Sequence, residues 1–98
     1  MAEGMRQQGR PMQVNETLNR FERVVGDQVV FAHYRHAGGR LLITHVEAPR
    51  PLRGTGEASR LMQEIADHAQ ATGQPVTPLC GYAAAWFRRH PAYADLLA

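Results

Sequence analysis

The spacing of apolar residues divides the chain into a strand-rich first half and a helical second half. Two stretches rich in β-branched and aromatic side chains, 17–25 and 27–36, flank a short turn and predict two antiparallel strands. A glycine pair, Gly38 and Gly39, predicts a second turn, which leads into a third strand over 40–48. Three consecutive strands joined by tight turns form a meander.

The second half of the chain has a helical period. From Gly56 onward, apolar residues recur three and four positions apart, which predicts an amphipathic helix. These residues are Ala58, Leu61, Met62, Ile65, Ala66 and Ala69. Gly73 is placed to cap the end of this helix, and 75–79 predicts a short fourth strand. Residues 82–90 then predict a second helix, and Pro91 starts a short third one.

The predicted element order is three strands, a helix, a strand and a helix. When a strand, a helix and a strand belong to one sheet, the two strands favour parallel pairing through a right-handed crossover. Added to the antiparallel meander, this pairing predicts an α+β fold. Residues 1–13 are polar and without periodicity, so we interpret them as a flexible tail before a single domain over 14–98. A chain of 98 residues is long enough for one small domain.

Composition limits the partners and the location of the protein. The chain has 11 basic residues, all of them arginine, and 9 acidic residues. This small excess is only a weak indication of nucleic-acid binding. No apolar run approaches the roughly 18 residues that a membrane span needs, and no secretory signal is present, so we expect a cytoplasmic protein. The single cysteine, Cys80, excludes an internal disulfide and suits a reducing compartment.

The stretch that carries chemistry is PLRGTGEASRLM, residues 51–62, which leads into the first helix. The first amides of a helix lack internal partners and attract anions, and glycine lets a phosphate approach the backbone closely. The absence of lysine excludes a Walker-type phosphate loop. Ser59 stands where a dinucleotide fingerprint counted from Gly54 needs glycine or alanine, which excludes a Rossmann site. This stretch is therefore either a phosphate-binding loop of another type or only a tight turn between a strand and a helix.

Four short segments resemble the GNAT superfamily of N-acetyltransferases. They are RGTGEA at 53–58, HVEAP at 45–49, PLCGY at 78–82 and RHP at 89–91. The first is similar to the coenzyme A pyrophosphate loop of that superfamily, Gln/Arg-x-x-Gly-x-Gly/Ala. The others are similar to segments of its small, single-domain members, which carry a His-Thr-Glu-Val-Pro strand end and a Pro-x-Cys segment before Arg-His-Pro. The resemblance covers about residues 15–97 and implies a minimal GNAT-like fold.

The resemblance also implies that acetyl-coenzyme A is the cosubstrate and that main-chain amides hold its pyrophosphate. The residues expected to contact it are Val46, Arg53, Gly54, Thr55, Gly56, Glu57 and Ala58. The helical period places the Glu57 side chain on the polar side of its helix. The sequence departs from the strand-end motif at two positions, with Val46 for threonine and Ala48 for valine, so the chain lacks that hydroxyl. No metal ion is expected.

Acetyl transfer to an amine needs a neutral amine, stabilisation of the oxyanion and a proton for the leaving thiolate. His45 and Glu47 lie two positions apart on a predicted strand and share a face. One possibility is that either residue relays the proton of the amine. The other is that His45 is a structural hydrogen-bonding residue and Glu47 a solvated charge. Tyr82 resembles the tyrosine that protonates coenzyme A in many GNAT enzymes, or it simply begins a helix. Cys80 either carries the acetyl group transiently or lines the channel.

Three hypotheses about function follow. The first is an acetyl-coenzyme A-dependent N-acetyltransferase whose acceptor is a small-molecule or protein amine. The second is a non-catalytic module that binds coenzyme A or acyl-coenzyme A, and the third is a small arginine-rich interaction protein. Full-length GNAT enzymes place helices between their first strands, whereas this chain has only turns there. Its acceptor cleft is therefore open or completed by another subunit, and we expect a monomer or a weak homo-oligomer.

Overall fold

The computed structural model describes residues 12–98, so residues 1–11 of the predicted tail lie outside the described part of the chain. Five strands form one mixed sheet in chain order. They are β1 Gln13–Asn15, β2 Arg20–Val25, β3 Gln28–Ala37, β4 Arg40–Glu47 and β5 Val76–Pro78. Strands β1 to β4 are antiparallel neighbours, and β5 pairs with β4 in parallel. This topology confirms the predicted α+β fold.

Tight turns join β2 to β3 and β3 to β4, as the sequence predicts. Gly38 and Gly39 both have positive φ, 59° and 74°, as in two-residue hairpin turns whose twist matches that of the strands. The start of the meander differs from the prediction. Residues 16–19 form a turn with Asn19 at φ 53°, so β2 begins only at Arg20. The short strand β1 precedes this turn and adds an edge to the sheet.

Two α-helices follow the meander. Helix α1 spans Glu57–Thr72 and lies between Gly56 and Gly73, which are both left-handed. The second of these glycines donates its amide to carbonyls of the last turn, so the predicted cap is confirmed. Helix α2 spans Gly81–Arg89. The segment Pro91–Leu96, predicted as a third α-helix, is a 3-10 helix, the form that short helical pieces commonly take. None of the described helices is long and apolar enough to cross a membrane.

One face of the sheet packs against both helices and forms the core. Its fully buried side chains are Val30, Ala32, Leu41, Ile43 and Val76 from the strands and Leu61, Met62, Ile65, Ala66 and Ala69 from α1. Trp86 and Phe87 of α2 belong to the same cluster. We call the opposite side of the sheet the open face, because none of the described helices packs on it. The open face includes Phe31, His33, His45 and Glu47.

A β-bulge in β4 determines which side chains reach each face. Ile43 and His45 pair with consecutive residues of β3, so Thr44 is left as an extra residue. One extra residue reverses the alternation of side chains between the two faces. Val46 consequently packs against the core, as Ile43 does, while His45 lies on the open face.

Strand β4 extends beyond the end of β5. The Ile43 carbonyl accepts the amides of Leu79 at 2.9 Å and Cys80 at 3.3 Å, after which the chain turns into α2. Because β5 ends at Pro78, residues 44–47 have no strand partner on that side among the described residues. Within residues 12–98, this part of β4 is therefore an unpaired edge of the sheet, next to the start of α1.

Candidate functional site

A cavity of about 460 Å³ lies where β4 ends and α1 begins. Its walls come from the end of β4, the loop that follows, the first turn of α1 and the start of α2. The lining residues are Val46, Glu47, Ala48, Leu52, Arg53, Gly54, Gly56, Ala58, Ser59 and Tyr82. Seven of the eleven residues predicted from the sequence are among them. The other four, His45, Thr55, Glu57 and Cys80, lie outside this lining.

The loop that enters α1 presents backbone donors to the cavity. Within the described residues, five backbone amides of this segment have no backbone acceptor, those of Gly54, Gly56, Glu57, Ala58 and Ser59. The first bond of the helix runs instead from the Arg60 amide to the Gly56 carbonyl, at 3.0 Å. Four of these five residues line the cavity, all except Glu57. Unpaired amides at a helix N-terminus attract anions.

The two glycines of this loop leave room beside those amides. Gly54 and Gly56 have φ of 79° and 88°, a conformation that other residues rarely adopt. Apart from the glycine itself and its two chain neighbours, no protein atom lies within 4 Å of the position that a Cβ would take at either glycine. Thr55, between them, donates both its amide and its hydroxyl to the Leu52 carbonyl and thereby closes the turn. The donors, the space and the turn together fit a diphosphate.

A buried ion-pair network fixes the first turn of α1 to the sheet. Arg23 Nε donates to Glu57 Oε1 at 2.7 Å, and Arg23 Nη1 donates to both oxygens of Glu64 at 3.1 Å. Arg23 and Glu57 are each 8% exposed. Burial acts to lower the pKa of Arg23, but the bond to Glu57 and the charges of both carboxylates outweigh it and raise that pKa.

The network changes the interpretation of Glu57. Glu57 lies on the polar side of α1 and accepts a bond from Arg60 Nη1 at 3.3 Å, at the spacing that the helical period predicts. Its carboxylate is nevertheless buried, because it also pairs with Arg23. The partners are 34 residues apart in sequence, so the helical period alone gave no sign of the contact. Only the backbone amide of Glu57 is available to a ligand in this arrangement.

The Arg53 side chain lies along one wall of the cavity. Its Nε donates to the Ala48 carbonyl at 3.1 Å, and its Nη2 lies 3.8 Å from Glu47 Oε2. The side chain is 60% exposed, so a ligand can reach its remaining N–H groups from solvent. A guanidinium in this position supplies positive charge beside the unpaired amides of the loop.

The strand register places the backbone groups of Val46 on the unpaired edge of β4. The Tyr34 amide bonds to the Asn19 carbonyl on the β2 side. Because alternate residues of a strand direct their backbone groups to the same side, Ala32 also points toward β2. Val46 pairs with Ala32, so its own amide and carbonyl point away from β3. They face the edge that β5 leaves free.

His45 and Glu47 come together on the open face, as the sequence predicts. His45 Nε2 and Glu47 Oε1 lie 2.8 Å apart. The ring of His33 stacks on His45 with the ring centroids 6.1 Å apart, a contact that the bulge in β4 creates and that the sequence pattern did not indicate. Glu47 also lines the cavity, whereas His45 does not. The carboxylate therefore connects the histidine to the cavity.

Tyr82 forms the opposite wall of the cavity, near the start of α2. Its side chain lines the cavity and is 40% exposed. Burial disfavours the phenolate and raises the pKa of Tyr82, although the charge of Arg89 acts in the other direction. The phenol is therefore protonated at neutral pH and able to donate a proton into the cavity.

Comparison with known protein families decides what kind of domain carries this cavity. The family model described as GCN5-related N-acetyl-transferase matches residues 20–96, most of the chain. The chain belongs to the GCN5-related N-acetyltransferase family. The resemblance to the superfamily is thereby confirmed, whereas the match does not test the likeness to its small members with a Pro-x-Cys segment. A search of curated proteins found no matching relative.

In this GCN5-related domain, Cys80 lies at the N-terminus of α2. Its Sγ accepts the Ala83 amide at 3.4 Å and so caps the helix. Cys80 is partly buried against the core and is not among the residues that line the cavity. The sequence left open whether the thiol carries the acetyl group or only lines the channel. The structure gives its sulfur a hydrogen bond within the protein.

The cavity of the GCN5-related domain includes a serine that no sequence motif indicated as a site residue. Ser59 lines the cavity, and its Oγ accepts the Trp86 indole N–H at 3.0 Å. This bond joins the first turn of α1 to α2. Its position directly after Ala58 of the loop motif was the one signal available, since the tryptophan is 27 residues away. Within residues 12–98, no group of three or more histidine, cysteine or acidic residues is arranged to hold a metal ion.

Proposed function

We propose that the protein is an N-acetyltransferase that transfers an acetyl group from acetyl-coenzyme A to an amine. The observation that carries this proposal is the row of unpaired amides at the start of α1, which lines a cavity beside the free edge of β4. Acetyl-coenzyme A, when bound, supplies the acetyl group as a thioester. The residues of the chain then have to hold the diphosphate, orient the thioester arm and move protons.

The number of free amides in the loop supports a diphosphate site. Hydrogen bonds to a charged group contribute about 1.5 to 3 kcal/mol each, so four amides reach in gross terms the roughly 8 kcal/mol of micromolar binding. Ordering of the ligand reduces this sum, and Arg53 adds charge. The free amide and carbonyl of Val46 are placed to continue the contact by pairing with an extended arm along β4. Because these are backbone groups, the valine in place of threonine does not remove them.

At the reacting end, the chain has to accept a proton from the amine and supply one to the thiolate. Deprotonating an amine with a pKa near 10.4 costs about 4.6 kcal/mol at pH 7, so a nearby base accelerates transfer. We assign this role to Glu47, directly or through water, with His45 holding its carboxylate at 2.8 Å. We assign the proton donor to Tyr82, whose raised pKa keeps the phenol protonated. Cys80 has no step in this direct transfer, since its Sγ caps α2.

A second candidate function is a module that binds coenzyme A or acyl-coenzyme A without turnover. The observation that favours it is the exposure of the proton-transfer residues, because Glu47 is 42% and Tyr82 40% exposed. Solvent screens charges at such positions and weakens acid–base assistance. The third hypothesis, an interaction protein, assigns no ligand to the cavity.

Two measurements separate these functions. Calorimetry with coenzyme A is expected to give binding in the micromolar range, and no binding at millimolar ligand would leave only the interaction protein. Transfer of radiolabelled acetyl groups to a panel of amines, including polyamines and lysine peptides, then distinguishes an enzyme from a binding module. The open face exposes the His45–Glu47 pair to solvent, so we expect large acceptors such as proteins or polyamines to be used.

A further inference from the structure

The Glu47 carboxylate has two partners on two sides of the molecule. Its Oε1 lies 2.8 Å from His45 Nε2 on the open face, and its Oε2 lies 3.8 Å from Arg53 Nη2 on the glycine loop. Each oxygen therefore interacts with a different element. Glu47 and Arg53 both line the cavity, so the contact between them lies where a ligand would enter.

Arg53 is held at this position by a second contact. Its Nε donates to the Ala48 carbonyl at 3.1 Å, which directs the guanidinium toward Glu47. Both side chains are well exposed, at 60% and 42%. An ion pair of this kind typically contributes 0.2 to 1 kcal/mol, because solvent screens it. A diphosphate with several negative charges competes effectively for such a guanidinium, since guanidinium binds phosphate in bidentate geometry.

We propose that Arg53 is a positioning residue that couples binding of the diphosphate to the His45–Glu47 pair. In the free protein Arg53 ties Glu47 to the loop. When a diphosphate takes the guanidinium, Glu47 is released from the loop and His45 alone holds it. The carboxylate assigned as proton acceptor is thus freed when the cosubstrate is bound. This inference rests on the proposed function, because it assumes that the loop binds a diphosphate.

Other charged groups near the pair do not make this connection. His33 stacks on His45 from β3, and Arg20 of β2 lies over the Phe31 ring at 4.3 Å, next to the two histidines. Both belong to the sheet and have no contact with the loop. Arg53 makes the connection because it belongs to the glycine loop and its guanidinium lies 3.8 Å from Glu47.

A double-mutant cycle on coenzyme A binding tests the competition. Calorimetry would give the Kd of coenzyme A for wild type, Glu47→Gln, Arg53→Gln and the double variant. If Glu47 competes for Arg53, Glu47→Gln tightens binding by about 1.5- to 5-fold, the range that corresponds to an exposed ion pair. In the Arg53→Gln background the same substitution leaves the Kd nearly unchanged. Asp95→Asn, an exposed carboxylate near Gln74 at the opposite end of β5, is the matched control and is expected to have no effect.

The possible outcomes separate this inference from the proposed function. If coenzyme A does not bind wild type at all, the proposed function fails. If it binds and Glu47→Gln tightens binding equally with and without Arg53, the carboxylate only repels the ligand through space and the coupling is overturned. The same conclusion follows if Glu47→Gln does not tighten binding.

The NMR resonance of His45 provides a second test, because a change in the stability of the loop alone would not shift it. The side-chain Nε2 resonance of His45 is expected to shift when coenzyme A saturates the wild-type protein, because its partner Glu47 changes position. Arg53→Gln is expected to show a much smaller shift at saturation, and Arg53→Lys, which keeps the charge, to restore most of it. A His45 resonance that stays constant while the loop amides respond would overturn the proposal.

Discussion

Arg23 Nε and Glu57 Oε1 meet at 2.7 Å in a buried contact between β2 and the first turn of α1. The contact holds the turn whose amides form the proposed diphosphate site. Because Arg23 also binds Glu64, two helical turns further along, it fixes both the position and the direction of the helix. The site therefore depends on an interaction outside the cavity.

Replacing Arg23 by methionine is expected to destabilise the fold strongly. The substitution leaves the carboxylates of Glu57 and Glu64 without this partner, and removing one member of a buried ion pair costs about 3 to 5 kcal/mol. Urea unfolding followed by circular dichroism measures the change in the free energy of unfolding. Arg35→Met, at an exposed position of β3, is the control and should stay within about 0.5 kcal/mol of wild type. A loss below about 1 kcal/mol in Arg23→Met would contradict the anchoring role.

Gly56→Ala is expected to weaken coenzyme A binding by more than about tenfold. The added methyl group enters the cavity beside the free amides, in space that only the neighbouring residues of the loop approach within 4 Å. A residue with a Cβ at φ 88° also costs about 1 to 2 kcal/mol of stability. Gly39→Ala, at φ 74° in a hairpin turn away from the cavity, matches that backbone cost. Calorimetry that finds the two variants equally able to bind coenzyme A would argue against the loop as the binding site.

Tyr82→Phe is expected to lower kcat by about 100-fold or more while KM for acetyl-coenzyme A changes little. The phenol donates its proton only while it is protonated, and burial raises its pKa. Deprotonation of Tyr82 should therefore not affect wild-type kcat at neutral pH. It should lower kcat only as the pH rises above that raised pKa. The phenylalanine variant should lack this alkaline fall. An unchanged kcat, or an alkaline fall that persists in the variant, would remove Tyr82 from the mechanism.

Cys80→Ser is expected to retain acetyl transfer. Serine keeps a side-chain acceptor for the Ala83 amide, so the cap of α2 is preserved. Cys80→Ala loses the cap and should lower the free energy of unfolding by up to about 1 kcal/mol, with little loss of kcat. Steady-state assays of both variants test this expectation. If the acetyl group passed through Cys80, both variants would lose almost all of their kcat.

The sequence predicted the elements well and the contacts between them poorly. The glycines at 56 and 73 marked both ends of α1, because each is needed for a left-handed backbone. Strand β1 was missed because its three residues include one apolar side chain, Val14, and its existence depends on pairing with β2. The extra residue Thr44 leaves no local signal either, since a bulge is defined by the partner strand.

For the candidate site as well, the sequence predicted the local features and missed the contacts between distant residues. The loop motif identified the free amides, because their lack of partners follows from the local geometry of a helix start. The spacing of His45 and Glu47 placed them on one face, and the structure joins them at 2.8 Å. The burial of Glu57 against Arg23 and the bond from Trp86 to Ser59 involve residues 34 and 27 positions apart. Only the packed fold specifies such contacts.

Amide resonances of the loop, followed as coenzyme A is added to the 15N-labelled protein, test the central claim most directly. The amides of Gly54, Gly56, Glu57 and Ala58 are expected to move downfield together, because each gains a charged acceptor. The amides of Gly38 and Gly39 in the distant hairpin turn should stay in place. Loop amides that do not respond at millimolar coenzyme A, or a response confined to another surface, would contradict the proposal that these backbone groups bind a diphosphate.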